Sequence, residues 1–266
     1  DICRVGISYF SWKHGYAPES ENAASAINSL HFAYALKSAA NLMRYMGCGR
    51  EADEYAQKSR EIADAVRRNC YDESKGLFMN YAGAEKSSQH ANIMAILADA
   101  IPAEKQRGLF DKIISDKSLD QCTFYYRFYL TEAMRKVGAA DKYADSLDPW
   151  RDMLRIGLTT FAETPEPTRS DCHAWSSSPN YHLLSLVCGV NPGEYGFKSV
   201  RIEPNLGKFE FVDGKIPHPN GIIEVSLKNS GGKLEGKVVL PEKLDGVFIH
   251  NGKEIKLKSG QNSINI

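Results

Sequence analysis

The sequence predicts a mainly helical chain of stacked hairpins that ends in a small antiparallel β-domain. Three observations predict it. Apolar residues recur at three- and four-residue spacing through residues 20–188. Alanine, the best helix former, stops at Ala174, and the 68 residues Ser199–Ile266 hold no Ala but nine Gly. That same tail switches to a two-residue period cut by hairpin turns. The change falls near residue 198, so the expected domains are a helical one over 1–197 and a β-sandwich over 198–266.

The elements follow in order. Residues 20–46 read as a long helix, with Ser20 as N-cap and Gly47 as its stop. Its apolar face is Ile27, Leu30, Tyr34, Ala40 and Met43. Residues 51–70 repeat the pattern, with Ala52, Tyr55, Ile62 and Val66 on one stripe. Further helices are expected near 88–100, 103–115, 122–137, 141–157 and 178–188. Seven helices with short connections read as αα-hairpins. Downstream, 199–203, 209–212, 222–227, 234–240, 246–250 and 254–257 read as strands. Asn229–Gly232 and Asn251-Gly252 are hairpin turns. So small a β-domain buries too little surface alone and is expected to pack on the helices.

Composition excludes several function classes. Lys+Arg and Asp+Glu both total 33, so the charges cancel. A balanced chain has no electrostatic footprint for nucleic acid or an anionic membrane, and neither is expected as a partner. A small neutral or weakly charged ligand fits better. No run of 18 apolar residues occurs, so no spanning helix is expected. The chain opens on Asp1 without a leader pattern, which reads as a mature form or a fragment. The cysteines (3, 48, 70, 122, 172 and 188) include no CxxC and are expected to be buried free thiols, with disulfides as the alternative in an exported protein. Metal, phosphate-loop and dinucleotide fingerprints are absent, so no cofactor and no metal are expected.

The segment richest in chemistry is Thr159–Trp175. It holds Glu163, Glu166, Asp171, Arg169, His173 and Trp175 between two expected helices. Pro165 and Pro167 are expected to keep it non-helical and extended. A glycosidase needs two carboxylates across the scissile bond, an aromatic plane for the sugar and polar groups for its hydroxyls. Glu163, His173 and Trp175 are of these types. From composition alone, an ordinary solvated loop is the commoner explanation of such a segment.

Phe161-Ala162-Glu163 followed by Arg169–Ser176 resembles the C-terminal motif of bacterial α-L-rhamnosidases, glycoside hydrolase family 78. The resemblance continues through Gly189-Val190-Asn191-Pro192, Gly196-Phe197 and Val200–Pro204 to Ile216–Gly221. Upstream, Gly47, Tyr71-Asp72-Glu73 and Gly76-Leu77-Phe78 also fit. It implies the later part of an (α/α)6 toroid followed by a β-sandwich. The implied activity is inverting exo-hydrolysis of terminal α-L-rhamnosides, with a carbohydrate substrate and a periplasmic or secreted location. Glu163 matches the catalytic general base and His173 a substrate-binding histidine. Trp175 shapes the sugar pocket or belongs to the core.

Two departures from the family pattern matter. The toroid has about twelve helices against seven here. The family's proton-donor motif finds no match, Trp12–Tyr16 included. The donor is therefore expected upstream of Asp1, the chain alone is expected to be inactive, and its uncovered toroid face is expected to favour self-association. Secondly, many members carry Trp where Ala162 and Pro165 stand, which loosens the inference to rhamnose. The alternatives are a non-catalytic carbohydrate-binding or scaffold protein, and a different glycosidase or lyase of the six-hairpin class. Gln89 and His90 are read as helix-start residues, Tyr125 and Tyr126 as packing residues, and Asp171 as a partner for His173 or Arg169. A Cys172–His173 nucleophile is rejected, because chain neighbours rarely face one another.

Overall fold

The structure, a computed structural model, describes residues 25–266. Ser20, Cys3 and the Trp12–Tyr16 stretch lie outside the described residues. The chain divides into two compact units, Asp1–Gly138 and Ala139–Ile266.

The first unit is built from helices. Helix α1 (Ala26–Tyr45) starts at Ser25, whose hydroxyl accepts from Asn28 N at 3.2 Å. Gly47 stops it as expected: with φ +80° it lets Cys48 N reach Met43 O at 2.9 Å and Gly47 N reach Arg44 O at 3.2 Å. Helix α2 (Gly49–Cys70) runs back against α1, burying Ala52, Ile62 and Val66. Tyr55, expected on that stripe, is 36% exposed. Strands β1 (Tyr71–Asp72) and β2 (Leu77–Phe78) form a tight antiparallel pair. Helix α3 (Gln89–Leu97) is buried along its whole length, which is why it shows no polar face. Helices α4 (Ala103–Ser115) and α5 (Phe124–Lys136) complete the unit.

Asn92 ties strand β2 to α3. Its side chain accepts from Phe78 N at 2.8 Å and donates to Phe78 O, Ser87 Oγ and Ser88 O. A fully buried amide is tolerated because each of its groups is satisfied. Around it the core is Ile27, Leu30, Phe78, Ile93, Phe110 and Ile113, each fully buried and each contributing about 1.5–3 kcal/mol.

The second unit begins with the short helices α6 (Tyr143–Ser146) and α7 (Asp148–Arg155). The single helix expected over 141–157 is split because Pro149 favours the first turn of a new helix. Helix α8 (Ser178–His182) runs on into a π-helical turn, Leu183–Val187. Strands β3 (Val190–Pro192), β4 (Val200–Ile202), β8 (Gly246–His250) and β9 (Lys253–Leu257) form one sheet in the order β3-β4-β8-β9. Strands β5 (Phe211–His218), β6 (Gly221–Ser230), β7 (Lys233–Leu240) and β10 (Gly260–Asn265) form the other, ordered β10-β7-β6-β5.

The expected class, helical hairpins followed by a β-domain, is the one found. Several details differ. Strands β1, β2, β3 and β10 were not among the expected elements, the strand expected over 209–212 runs from Phe211 to His218, and β4 pairs with β8 in parallel rather than antiparallel. The long excursion through β5–β7 supplies the crossover a parallel pair needs. The β5 strand packs on the π-helical turn, where a Cβ added at Gly214 would lie 2.8 Å from Cys188 Sγ. No helix among the described residues is long and apolar enough to cross a membrane.

The cysteines divide. Cys70, Cys122 and Cys188 are buried, and burial pushes their thiols up to about 11. Cys48 and Cys172 are exposed, against expectation, because each lies at a loop or helix entry rather than on an apolar face.

Candidate active site

The candidate site lies wholly in the second unit, in the loop that leaves α7. Gly157, with φ +83°, ends that helix. The prolines do keep the loop non-helical, but the loop is not extended: it turns back on itself. His173 N donates to Phe161 O at 2.7 Å and Glu163 N donates to Ser170 O at 2.8 Å. Thr168 closes the reversal, its hydroxyl accepting from Thr164 N at 3.4 Å and donating to Ser170 O at 3.1 Å. Pro165, Glu166 and Pro167 occupy its exposed tip. Backbone donors unpaired by helix or sheet find partners across the reversal, which is what fixes its shape. Trp150 anchors the far end, donating from Nε1 to Ser176 O at 2.7 Å.

The reversal gathers three of the expected site residues. Glu163 is the one Asp or Glu among the described residues with less than a tenth of its surface exposed, at 8%. A buried carboxylate needs a compensating charge. Arg169 supplies it as a two-pronged fork, Nε to Oε2 at 2.9 Å and Nη2 to Oε1 at 2.5 Å. His173 Nε2 stands 3.9 Å from Glu163 Oε1, beyond hydrogen-bond reach. Its Nδ1 is buried with no hydrogen-bond partner. An orphaned lone pair costs less than an orphaned N–H, so the proton belongs on Nε2, facing Glu163. Trp175 is half-buried and packs on the His173 ring, centroids 4.5 Å apart.

Asp171 takes neither of the roles expected for it. It is exposed, Arg169 goes to Glu163, and the Asp171 backbone oxygen accepts from Thr160 Oγ1 at 2.5 Å. Beside the loop, Trp150, Met153, Leu154, Leu158, Phe161 and Leu183 line an apolar groove of about 290 Å³. No group of three or more His, Cys, Asp or Glu side chains among the described residues is placed to hold a metal ion.

In the first unit, Gln89 is a packing residue, bonded through Nε2 to Ile113 O at 2.9 Å and through Oε1 to Cys122 N at 2.9 Å. His90 and Tyr126 are buried together with their rings 4.2 Å apart. His31, not singled out in the sequence, joins them: its Nε2 is 2.8 Å from Tyr126 Oη and its ring lies edge-on to Tyr129. The signal was its place one turn after Ile27 on the apolar face of α1.

Burial pushes His31 down from 6.5 to about 4. The unfolded chain therefore binds its proton first. This contribution to stability is intact above 6.5 and is lost as pH falls toward about 4, by at most about 1.4 kcal/mol per pH unit. His31→Asn is expected to flatten that acid limb of a Tm-against-pH series. An unchanged slope in the variant would place the acid sensitivity elsewhere.

Comparison with known proteins fits this architecture. Residues 6–187 match the family described as the bacterial alpha-L-rhamnosidase 6 hairpin glycosidase domain. Residues 189–259 match the bacterial alpha-L-rhamnosidase C-terminal domain. A curated alpha-L-rhamnosidase from Alteromonas sp. (strain LOR) is 23% identical over 273 aligned positions, covering 91% of this chain and 29% of the relative. The crystal structure of the GH78 family rhamnosidase of Bacillus sp. GL1 is 26% identical with a TM-score of 0.77, covering 88% of this chain and 27% of its own. That of Streptomyces avermitilis alpha-L-rhamnosidase complexed with L-rhamnose is 16% identical with a TM-score of 0.75, covering 91% and 26%. The chain thus spans under a third of the length of these relatives. With the helical hairpins and the β-domain matched in turn, it belongs to the bacterial alpha-L-rhamnosidase six-hairpin glycosidase family.

Proposed function

We propose that this chain is the C-terminal portion of an inverting exo-glycosidase acting on terminal α-L-rhamnosides or a related sugar, with Glu163 as general base. One observation carries the reading: the most deeply buried carboxylate of the described residues sits where the loop brings Arg169 and His173 onto it. Family membership and the rhamnose complex of the Streptomyces relative support the substrate class.

In this reading a water attacks the anomeric carbon and passes a proton to Glu163. The bond from that carbon to the leaving oxygen breaks, and the leaving oxygen takes a proton from an acid group on the opposite side. No carboxylate of this chain is assigned as that acid. The donor comes from the remainder of the enzyme, so the isolated chain is inactive. His173 lines the sugar site beside Glu163, and Trp175 offers its face to the ring. The helical domain over 1–197 carries the chemistry and the β-domain over 198–266 buttresses it. Apolar surface such as the groove beside Trp150, with Leu154 73% exposed, favours self-association.

A second reading, a non-catalytic carbohydrate-binding protein, draws on the fork itself: both oxygens of Glu163 are engaged, as in a structural ion pair. The departures at Ala162 and Pro165 favour a third, another glycosidase or lyase of the six-hairpin class. The test is hydrolysis of an aryl α-L-rhamnoside by the full-length gene product, followed by NMR from the first minutes. Inversion releases the β-anomer first. Early α-anomer contradicts the mechanism, and binding without cleavage favours the second reading. Cleavage of other aryl glycosides or unsaturated uronides in place of rhamnosides favours the third.

A further inference from the structure

We infer that Arg169 is a positioning residue: it fixes the Glu163 carboxylate so that Oε1 is aimed at the gap before His173 Nε2, where the attacking water sits. The inference rests on the general-base reading of Glu163.

The geometry is specific. A carboxylate has about four lone-pair directions, and the Arg169 fork takes one on each oxygen. Oε1 also stands 3.9 Å from His173 Nε2. That span is too long for a direct hydrogen bond and suits one bridging water. Nε2 carries the proton, because Nδ1 is buried with no partner. A water in the gap accepts from His173 and donates to Glu163, which leaves a lone pair for the anomeric carbon. Without the fork, the carboxylate loses the two bonds that fix the direction of Oε1.

Arg169 suits this role better than a packing role. Its side chain is 57% exposed, so it adds little to the core, yet two of its nitrogens donate to one buried group. It reaches Glu163 because the backbone bond from Glu163 N to Ser170 O closes the reversal between them. A lysine at this position keeps the charge as a single point and cannot hold both oxygens.

The test uses the full-length gene product and an aryl α-L-rhamnoside, comparing wild type, Arg169→Gln, Arg169→Lys, Glu163→Gln and the Arg169→Gln/Glu163→Gln double variant. Arg169→Gln is expected to lower kcat by about 30-fold or more with KM within about threefold, as loss of positioning predicts. Arg169→Lys is expected to fall between that variant and wild type. The double variant is expected to be no slower than Glu163→Gln alone, because the two residues act as one unit. Melting temperatures accompany each variant, and if Arg169→Gln does not fold, Arg169→Lys decides. An Arg169 variant with wild-type kcat overturns the inference. So does a rise in KM alone, or losses that multiply in the double variant. Failure of the parent reading looks different: Glu163→Gln then keeps wild-type kcat, or the wild type cleaves no rhamnoside.

Discussion

Glu163→Gln is expected to lower kcat on an aryl α-L-rhamnoside by about 10²–10⁴-fold in the full-length gene product, with KM nearly unchanged. Glutamine has the shape of glutamate and keeps one oxygen to accept from Arg169. It cannot take a proton from water at neutral pH. Its amide group also meets one guanidinium donor head-on, so a stability cost accompanies the kinetic one. Breaking a fully buried ion pair costs about 3–5 kcal/mol. Here the Arg169 side chain is 57% exposed and solvent screens the pair, so about 1 kcal/mol is the expected scale. A folded variant with a kcat within about threefold of wild type would falsify the base assignment.

Gly189→Ala is expected to destabilise the second unit by about 3 kcal/mol or more, combining left-handed backbone strain with overpacking. Gly189 turns the chain from the π-helical segment into β3 with φ +76°. A Cβ there would lie 2.2 Å from the Glu203 carbonyl carbon and oxygen. The neighbour is backbone, held by the bond from Glu203 N to Gly189 O at 3.0 Å, so it cannot yield as a side chain does. Urea denaturation of wild type and variant measures the loss. A difference below about 1 kcal/mol means that the turn relaxes at little cost, contrary to the strain argument.

Elements whose pattern is local were legible. Helix α4 runs over 103–115 and strand β8 over 246–250, as their periodicities indicate. Gly47 stops α1 because a left-handed C-terminal cap is a local requirement. Strand β10 was not legible, since Gly260–Asn265 has only Ile264 as an apolar residue. Its strand character comes from pairing with β7, where Gly260 faces Leu240 and Asn265 faces Glu235. The parallel β4–β8 pair was hidden for the same reason: its partners are 46 positions apart and joined by an excursion.

For the site, the sequence by itself determined the inventory and its place. A glutamate, an arginine, a histidine and a tryptophan lie in one proline-broken loop, inside a motif that resembles a family of glycosidases. Only the tertiary structure decided which of them meet. The five residues between Glu163 and Arg169 lie in neither helix nor strand, so no fixed period dictates which side chains face each other. The reversal that joins them depends on backbone bonds from Glu163 to Ser170 and from His173 to Phe161. Burial is likewise a property of the packed fold, and it singles out Glu163 from Glu166 and Asp171, which share its loop but remain exposed. A buried carboxylate requires a partner charge, and so the loop that buries Glu163 also carries Arg169 to it.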